Sequence, residues 1–266
     1  MTDKPTSAPT NAVRKLTASL ATAKGRRRAG LFAAEGTKCV LDTLGAYRLR
    51  YVAATAEWLA EHTLGPAADD AIIYECRRAD LVAMTSLTLA PDVIAAFEIP
   101  KPSTFDPAAL DGRLTLALDR VQDPGNLGTI IRTADWMGVS LILASADTVD
   151  CFNPKTVQAT MGALARVKVI YGDLPEMLGQ ARRRGIDVAG TFLDGDNIYT
   201  AQLPRQAVVV MGNEGSGISD EVASLVTSRL LIPSYPPERP TSESLNVATA
   251  TAIVMSQFIS RYYGKG

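Results

Sequence analysis

Apolar residues in the second half of the chain fall into short unbroken runs separated by segments with helical spacing. The runs LTLALDRV (114–121), SLILAS (140–145), VKVIYG (167–172), IDVAGTFL (186–193), AVVVMGNEG (207–215) and LLIPSY (230–235) predict strands. Consecutive apolar residues, rather than strict alternation, predict a parallel sheet covered on both faces. Between them, LGTIIRTADWM (127–137), NPKTVQATMGALARV (153–167), LPEMLGQARRRG (174–185), DEVASLVTSRL (220–230) and SLNVATATAIVMSQFISRYY (244–263) have helical spacing, and Gly138 marks a helix stop.

The first half alternates in the same way on a smaller scale. GLFAAEG, LRYVAAT, AIIYECR and VIAAFEI predict strands. TKCVLDTLGAY, AEWLAEHTL and RADLVAMTSL predict helices, with Val40, Leu41 and Leu44 on one side of the first. Pro91, Pro100, Pro102 and Pro107 break regular structure around residues 91–107. The pattern therefore divides into a flexible tail at 1–10, an α/β unit at 11–100, a linker at 101–109 and a larger α/β unit at 110–266.

Composition removes several classes of function. No apolar run approaches the roughly 20 residues of a membrane span, and the first residues lack the apolar core of a secretory signal. Cys39, Cys76 and Cys151 are dispersed, as fits reduced thiols in the cytoplasm. With His62 as the only histidine, neither a Ser-His-Asp triad nor a histidine-rich metal site is expected. The net charge of −1 says nothing of nucleic acid, but its distribution does: Arg14, Lys15, Lys24, Arg26, Arg27 and Arg28 lie within residues 11–28 with no acid among them. Such a stretch suits phosphate contacts, Arg26, Arg27 and Arg28 above all, or equally a solvated helix and loop. Arg182, Arg183 and Arg184 precede Gly185 at a helix end and are expected to face water.

Three segments carry candidate chemistry. In the first, DPGNLGTIIRT, Asn126 is placed as a helix N-cap. Arg132 lies six residues on, where its guanidinium can reach back to the carboxyl edge of the sheet and meet a phosphate or a forming oxyanion. Read alone, the segment favours a capped helix with one surface arginine. The second, MGNEGSG, follows a strand with glycines that let backbone approach a ligand. It is neither a P-loop nor a dinucleotide fingerprint, and its Glu214 suits a cationic or hydroxyl-bearing group rather than phosphate. The third is Ile232-Pro233, a variable loop, and then Ser244-Leu245-Asn246 opening the last helix, with Ser244 placed as its cap.

In order and content these segments resemble the SpoU/TrmH family of RNA ribose methyltransferases, within the SPOUT class, over about residues 110–263. NLGTIIRT looks like the family's first motif, MGNEGSGIS its second and IP…SLNVATATAI its third. GLFAAEGTKCV, after the basic stretch, is similar to the substrate-binding domain that many members carry. The resemblance implies a parallel sheet whose C-terminal part is tucked into a trefoil knot, preceded by a small α/β RNA-binding domain. It implies S-adenosylmethionine as cofactor, a ribosomal RNA or transfer RNA 2′-hydroxyl as methyl acceptor, and a homodimer with the active site near the subunit interface; no metal is expected, since the sequence shows no metal-ligand constellation. Carried over by position, Asn126, Arg132, Glu214, Ser244 and Asn246 form the catalytic set. Thr191, Met211, Gly212, Asn213, Gly215, Ile232, Leu245 and Asn246 fall at cofactor positions, and Arg132 also faces RNA. The N-terminal unit favours large-subunit ribosomal RNA. One departure stands out: SYPPERPTSE (234–243) is longer than the family's usual loop and lacks its glycine, which concerns the substrate-side wall of the pocket. A non-catalytic RNA-binding protein of the same fold would not need all five polar motif residues. A Rossmann-type small-molecule enzyme would need a glycine fingerprint after the first strand, where LDRVQDPGNLG stands instead.

Overall fold

The computed structural model describes residues 6–236, 242 and 244–263. They form two compact units: residues 6–101 with 150–166, and residues 102–236, 242 and 244–263 without 150–166.

The first unit begins with two helices, α1 (Asn11–Ser19) and α2 (Ala23–Ala29), capped by the hydroxyls of Thr10 and Thr22. Then come β1 (Leu31–Glu35), α3 (Thr37–Thr43), β2 (Leu49–Ala54), α4 (Ala56–Glu61), β3 (Ile72–Glu75), α5 (Arg78–Met84) and β4 (Val93–Glu98). The strands make one sheet in the order β1-β4-β2-β3, with β4 antiparallel to both neighbours and β2 parallel to β3. Leu20, Ala53, Leu81, Ile94 and Ala96 are fully buried in its core. Residues 6–10 do not fray as expected of a tail. The Ser7 amide donates to the Ile73 carbonyl, and the Ser7 carbonyl accepts from the Glu75 amide. Strand β3 lies at the sheet edge, and this pairing covers part of that edge.

Residues 150–166, which the hydrophobic pattern assigns to the second unit, make their contacts in the first. The Phe152 ring packs 4.7 Å from Phe32 on β1, and the Tyr47 hydroxyl donates to the Leu164 carbonyl at 3.1 Å. The single helix expected over 153–167 is broken. Helix α7 (Pro154–Thr160) ends where Met161 and Gly162 both turn left-handed, and a short 3-10 turn follows. Gly162 is required here, because a Cβ would sit 2.3 Å from the Asp42 carboxylate.

The second unit contains β5 (Leu114–Leu118), α6 (Pro124–Trp136), β6 (Leu141–Ser145), β7 (Lys168–Gly172), α8 (Leu174–Arg183), β8 (Asp187–Asn197), β9 (Ala207–Met211), α9 (Asp220–Ala223), β10 (Ser228–Leu231) and α10 (Val247–Tyr263). Its six-stranded sheet is parallel throughout, in the order β10-β8-β9-β5-β6-β7. Strands β5, β6 and β9 are buried at every position, as their unbroken apolar runs require. The helix expected over 220–230 stops at Ala223, and residues 228–231 pair with β8 instead. Between Arg229 and Leu230 the partners on β8 jump from Gly190 to Asp196, so residues 191–195 bulge out of the ladder. The Arg229 guanidinium closes that bulge, 3.5 Å over the Phe192 ring and 2.6 Å from the Asp194 carboxylate. Helix α10 packs on α6. No helix among the described residues is long and apolar enough to cross a membrane.

Candidate active site

All strands of the second unit run the same way, so the three motifs leave the sheet at one edge, its carboxyl edge, where ligands of parallel α/β folds bind. The first motif starts helix α6. Asp123, not Asn126, is its cap: the Asp123 carboxylate accepts from the Asn126 amide at 2.7 Å, with Pro124 in the first turn. This corrects the expected cap and frees the Asn126 side chain. The Asn126 Nδ2 donates to Glu214 Oε1 at 2.6 Å, and its Oδ1 accepts from Asn246 Nδ2 at 2.9 Å. One amide therefore joins all three motifs.

Asn246, and not Ser244, caps the last helix, since its Oδ1 accepts from the Ala248 and Thr249 amides. Ser244 is exposed, with no hydrogen bond from its hydroxyl to another described residue. Arg132 is exposed on α6, whose buried side is formed by Leu127, Ile130, Ile131 and Ala134. It has no ion pair or hydrogen bond to another described residue. Six residues from Asn126, it stands about 9 Å further along the helix axis.

The glycine-rich loop is held from within and from below. The Asn213 amide and carbonyl pair with Gly217, while its Oδ1 accepts from the Gly215 and Ser216 amides at 2.9 and 3.1 Å. Its Nδ2 donates to the Arg120 carbonyl at 2.8 Å. At the other end of the loop, the Ser219 amide donates to the buried Asp119 carboxylate at 2.6 Å. Gly212 permits this folding. A Cβ there would lie 2.4 Å from the Gly217 carbonyl carbon and 2.5 Å from the Ile218 nitrogen, a collision with backbone that no side-chain rotation relieves.

Of the positions assigned to cofactor, Asn213 has its whole side chain engaged inside the loop, and the Gly215 amide is tied to it. Thr191 opens the β8 bulge next to the end of β9, since Gly190 pairs with Val210. Met211 is buried, Ile232 half-buried and Leu245 exposed at the same edge. Asp119 and Arg120 were missed from sequence. The signal was an acid–base pair at the mouth of an otherwise apolar strand. Residues 237–241 and 243 of the long proline-containing loop lie outside the described residues.

The N-terminal basic stretch separates into two kinds of residue. Arg26 is only 2% exposed. Its Nε and Nη2 donate to Asp150 Oδ2 at 3.0 and 2.7 Å, and its Nη1 to the Leu20 and Ala21 carbonyls. Arg26 is thus a packing residue of the first unit and not an RNA contact, which corrects that expectation. Arg14 is bound to Asp80. Lys15, Lys24, Arg27 and Arg28 are exposed, without an ion pair to another described residue. His62 stacks on Trp58 at 4.6 Å, and no cluster of metal-ligating side chains occurs among the described residues. Cavity volume does not mark the site: two cavities of about 710 and 620 Å³ are lined by Thr55, Trp58 and Arg78, and by Asp194, Thr227 and Arg229, with none of the catalytic set.

The sequence profile of the SpoU rRNA Methylase family matches residues 113–256. A 23S rRNA guanosine 2′-O-methyltransferase of Bacillus subtilis is 36% identical over 145 residues, which are 54% of this chain and 56% of that protein, so the match spans about half of each. A solved TrmH-family structure from Porphyromonas gingivalis superimposes with a TM-score of 0.86 at 40% identity, covering 96% of this chain and 100% of that one. The AdoMet-bound rRNA methyltransferase of Sinorhizobium meliloti superimposes with a TM-score of 0.83 at 29% identity, covering 99% of each chain. With a profile match across more than half its length and its three motifs joined through Asn126, this chain belongs to the SpoU rRNA methylase family.

Proposed function

We propose that this protein transfers the methyl group of S-adenosylmethionine to a ribose 2′-hydroxyl of RNA, with large-subunit ribosomal RNA as substrate. The observation that carries this reading is the Glu214–Asn126–Asn246 chain of hydrogen bonds at the carboxyl edge of the sheet. The strand ends suit the cofactor. They offer backbone amides and carbonyls, the apolar side chains of Ile232 and Leu245, and a carboxylate, Glu214, that tolerates a sulfonium and would repel a phosphate. Thr191, Met211, Gly212, Ile232 and Leu245 would hold it, while Asn213 and Gly215 shape the loop. When bound, S-adenosylmethionine supplies an electrophilic methyl group.

The chain's own residues supply the rest. A ribose hydroxyl is a weak nucleophile at neutral pH and needs help with its proton or its forming charge. A guanidinium has no acceptor to take a proton, so Arg132 is not the base. It takes the phosphate beside the reacting ribose and lowers the cost of the forming alkoxide. Asn126 holds Glu214 and Asn246 in one orientation toward the substrate, and Ser244 stands beside them.

The remaining parts of the reading follow from the two units. The second unit forms the methyltransferase domain and the first unit, with residues 150–166 included, an RNA-binding domain, joined at the linker of residues 101–109. Lys15, Lys24, Arg27 and Arg28 contact RNA phosphates. The C-terminal segment forms a trefoil knot; supporting this, β10 lies at the far edge of the sheet, yet α10 returns past β8 and β9 to pack on α6, the helix after β5. The working form is a homodimer, for which the 87% exposed Trp136 on α6 and the exposed Tyr262 and Tyr263 on α10 offer an apolar surface. The buried thiols of Cys39 and Cys76, neither in a disulfide, fit the cytoplasm.

Two measurements test this. Calorimetric titration of S-adenosylmethionine in chelator should give binding; no binding by a folded sample removes the methyltransferase reading. Arg132→Ala should lose about a hundredfold or more in single-turnover transfer to RNA, with cofactor affinity nearly intact. Arg132→Lys should restore little, because it lacks the planar fork. A fully active Arg132→Ala protein would show that α6 is only scaffold.

A further inference from the structure

Arg120 is one of two described non-glycine residues with a positive φ, at 58°. It sits where β5 ends and the chain turns toward Asp123 and helix α6. An L-residue avoids this conformation because its Cβ crowds the carbonyl oxygen, and glycine adopts it freely. The turn is pinned from both sides. The Arg120 amide donates to Ser145 Oγ at 2.9 Å, Ser145 shares a hydrogen bond with Thr148 at 3.0 Å, and the Arg120 carbonyl accepts from Asn213 Nδ2. The backbone would keep this turn with glycine, so the arginine must be explained by its side chain.

That side chain is paired with Asp119 but makes no hydrogen bond to another described residue. It is 32% exposed, and its Nε is buried without a hydrogen-bond partner. Asp119 Oδ1 lies 3.4 Å from the Nε, off the hydrogen-bonding direction, and Asp119 is itself only 4% exposed. The neighbouring charge holds the guanidinium in place without using its donors. An arginine has five N–H donors in a rigid fork, and none of these bonds to another described residue. Asn213, which fixes the Arg120 carbonyl, immediately precedes Glu214 of the site.

We infer that Arg120 is a second phosphate-binding residue of the site, taking the RNA backbone next to the target nucleotide while Arg132 faces the reacting one. Its strained backbone and the Asp119 carboxylate present a free fork at the carboxyl edge of the sheet, and a planar fork matches two phosphate oxygens at once. The inference rests on the reading of the chain as an RNA methyltransferase. The rival role is purely structural, with Arg120 only offsetting the buried Asp119 charge.

Arg120→Gly separates the two roles, because it relieves the backbone while removing the fork. Arg120→Asn, which also tolerates the left-handed region, is the second variant should the first fail to fold, and Arg120→Lys keeps the charge alone. Each full-length protein is measured for melting, for S-adenosylmethionine affinity, and for affinity to unmodified 23S-type RNA transcribed in vitro over a range of salt. The expected result for Arg120→Gly is melting at or above that of the unaltered protein and unchanged cofactor affinity. RNA binding should be about tenfold to a hundredfold weaker, with a salt slope lower by about 0.7 to 0.9. Lysine should restore the slope and only part of the affinity. A lower melting temperature with unchanged RNA affinity and slope would overturn the inference in favour of the structural role, and so would no change at all. Unaltered protein that binds RNA but transfers no methyl would sink the methyltransferase reading instead, with the slope comparison still deciding Arg120. Unaltered protein that binds no RNA would overturn both.

Discussion

Replacing Asn126 by aspartate changes one atom group at the centre of the site and reverses its chemistry. The Nδ2 that donates to Glu214 Oε1 at 2.6 Å becomes a carboxylate oxygen facing another carboxylate oxygen. At that separation two unit charges repel by about 6 kcal/mol at an effective dielectric of about 20. Proton uptake sets a limit on this. Holding a carboxyl neutral at pH 7, from an ordinary pKa near 4, costs about 4 kcal/mol at about 1.4 kcal/mol per unit. The site is half-exposed, so the two groups can also separate and hydrate. We therefore expect a loss of about 2–4 kcal/mol, roughly thirtyfold to a thousandfold in single-turnover transfer at pH 7. The pH dependence carries the argument. Two adjacent carboxylates raise the pKa of the pair, so lowering the pH restores a proton between them and with it the donor. The activity of Asn126→Asp relative to the unaltered protein should rise as pH falls from about 8 to about 5, whereas Asn126→Ala should show a flat deficit. The assay is transfer of labelled methyl to RNA across that range, with cofactor affinity measured alongside. An aspartate variant with full activity, or one whose deficit is as flat as the alanine variant's, would refute the role given to this hydrogen bond.

Two further predictions follow from particular contacts. Arg26→Ala should destabilise the protein by about 2–3 kcal/mol in urea unfolding, at or below the floor of the range for a fully buried pair, because its partner Asp150 is 41% exposed and can hydrate. Arg27→Ala with Arg28→Ala should change stability by no more than about 0.5 kcal/mol but lower the salt slope of RNA binding by about 0.7 to 0.9 for each phosphate no longer neutralised; equal effects from both changes would mean that the basic stretch is not divided as described. Gly212→Ala should reduce S-adenosylmethionine affinity at least tenfold by calorimetry while the fold persists, because the new Cβ meets the Gly217 and Ile218 backbone within 2.6 Å and must open the loop. Unchanged affinity would show that this loop does not shape the cofactor site.

Much of the second unit was legible because its signals are local and repeated. Unbroken apolar runs specified the parallel strands, and glycine or capping residues marked where motifs leave them. Asn126, Glu214 and Asn246 were identified by their place in those motifs, and the structure brings them together. What escaped depended on partners distant in sequence or on competition between neighbours. Asp123 and Asn126 both suit a helix start, and only the geometry shows that Asp123 takes the amide. Asn246 displaces Ser244 as a cap in the same way. Arg26, Arg27 and Arg28 are chemically alike, yet successive residues on a helix point about 100° apart. One is buried against Asp150, 124 residues away, and two remain in water. The end of α9 was also hidden, since VTSRL carries helical spacing but is drawn into pairing with β8.

The placement of residues 150–166 has a consequence for how the molecule can be made and divided. Phe32 and Arg26 find their partners Phe152 and Asp150 only after about a third of the second unit's sequence has been synthesised. On the ribosome, the first unit must wait, with part of its core uncovered, until the chain beyond residue 166 emerges. A fragment cut at residue 101 would lack the same cover and be prone to aggregation, and excising residues 113–256 as a catalytic piece would carry away the first unit's own lining. The two units are thus stitched together through the order of translation, and neither can be inherited or transplanted as a simple contiguous block.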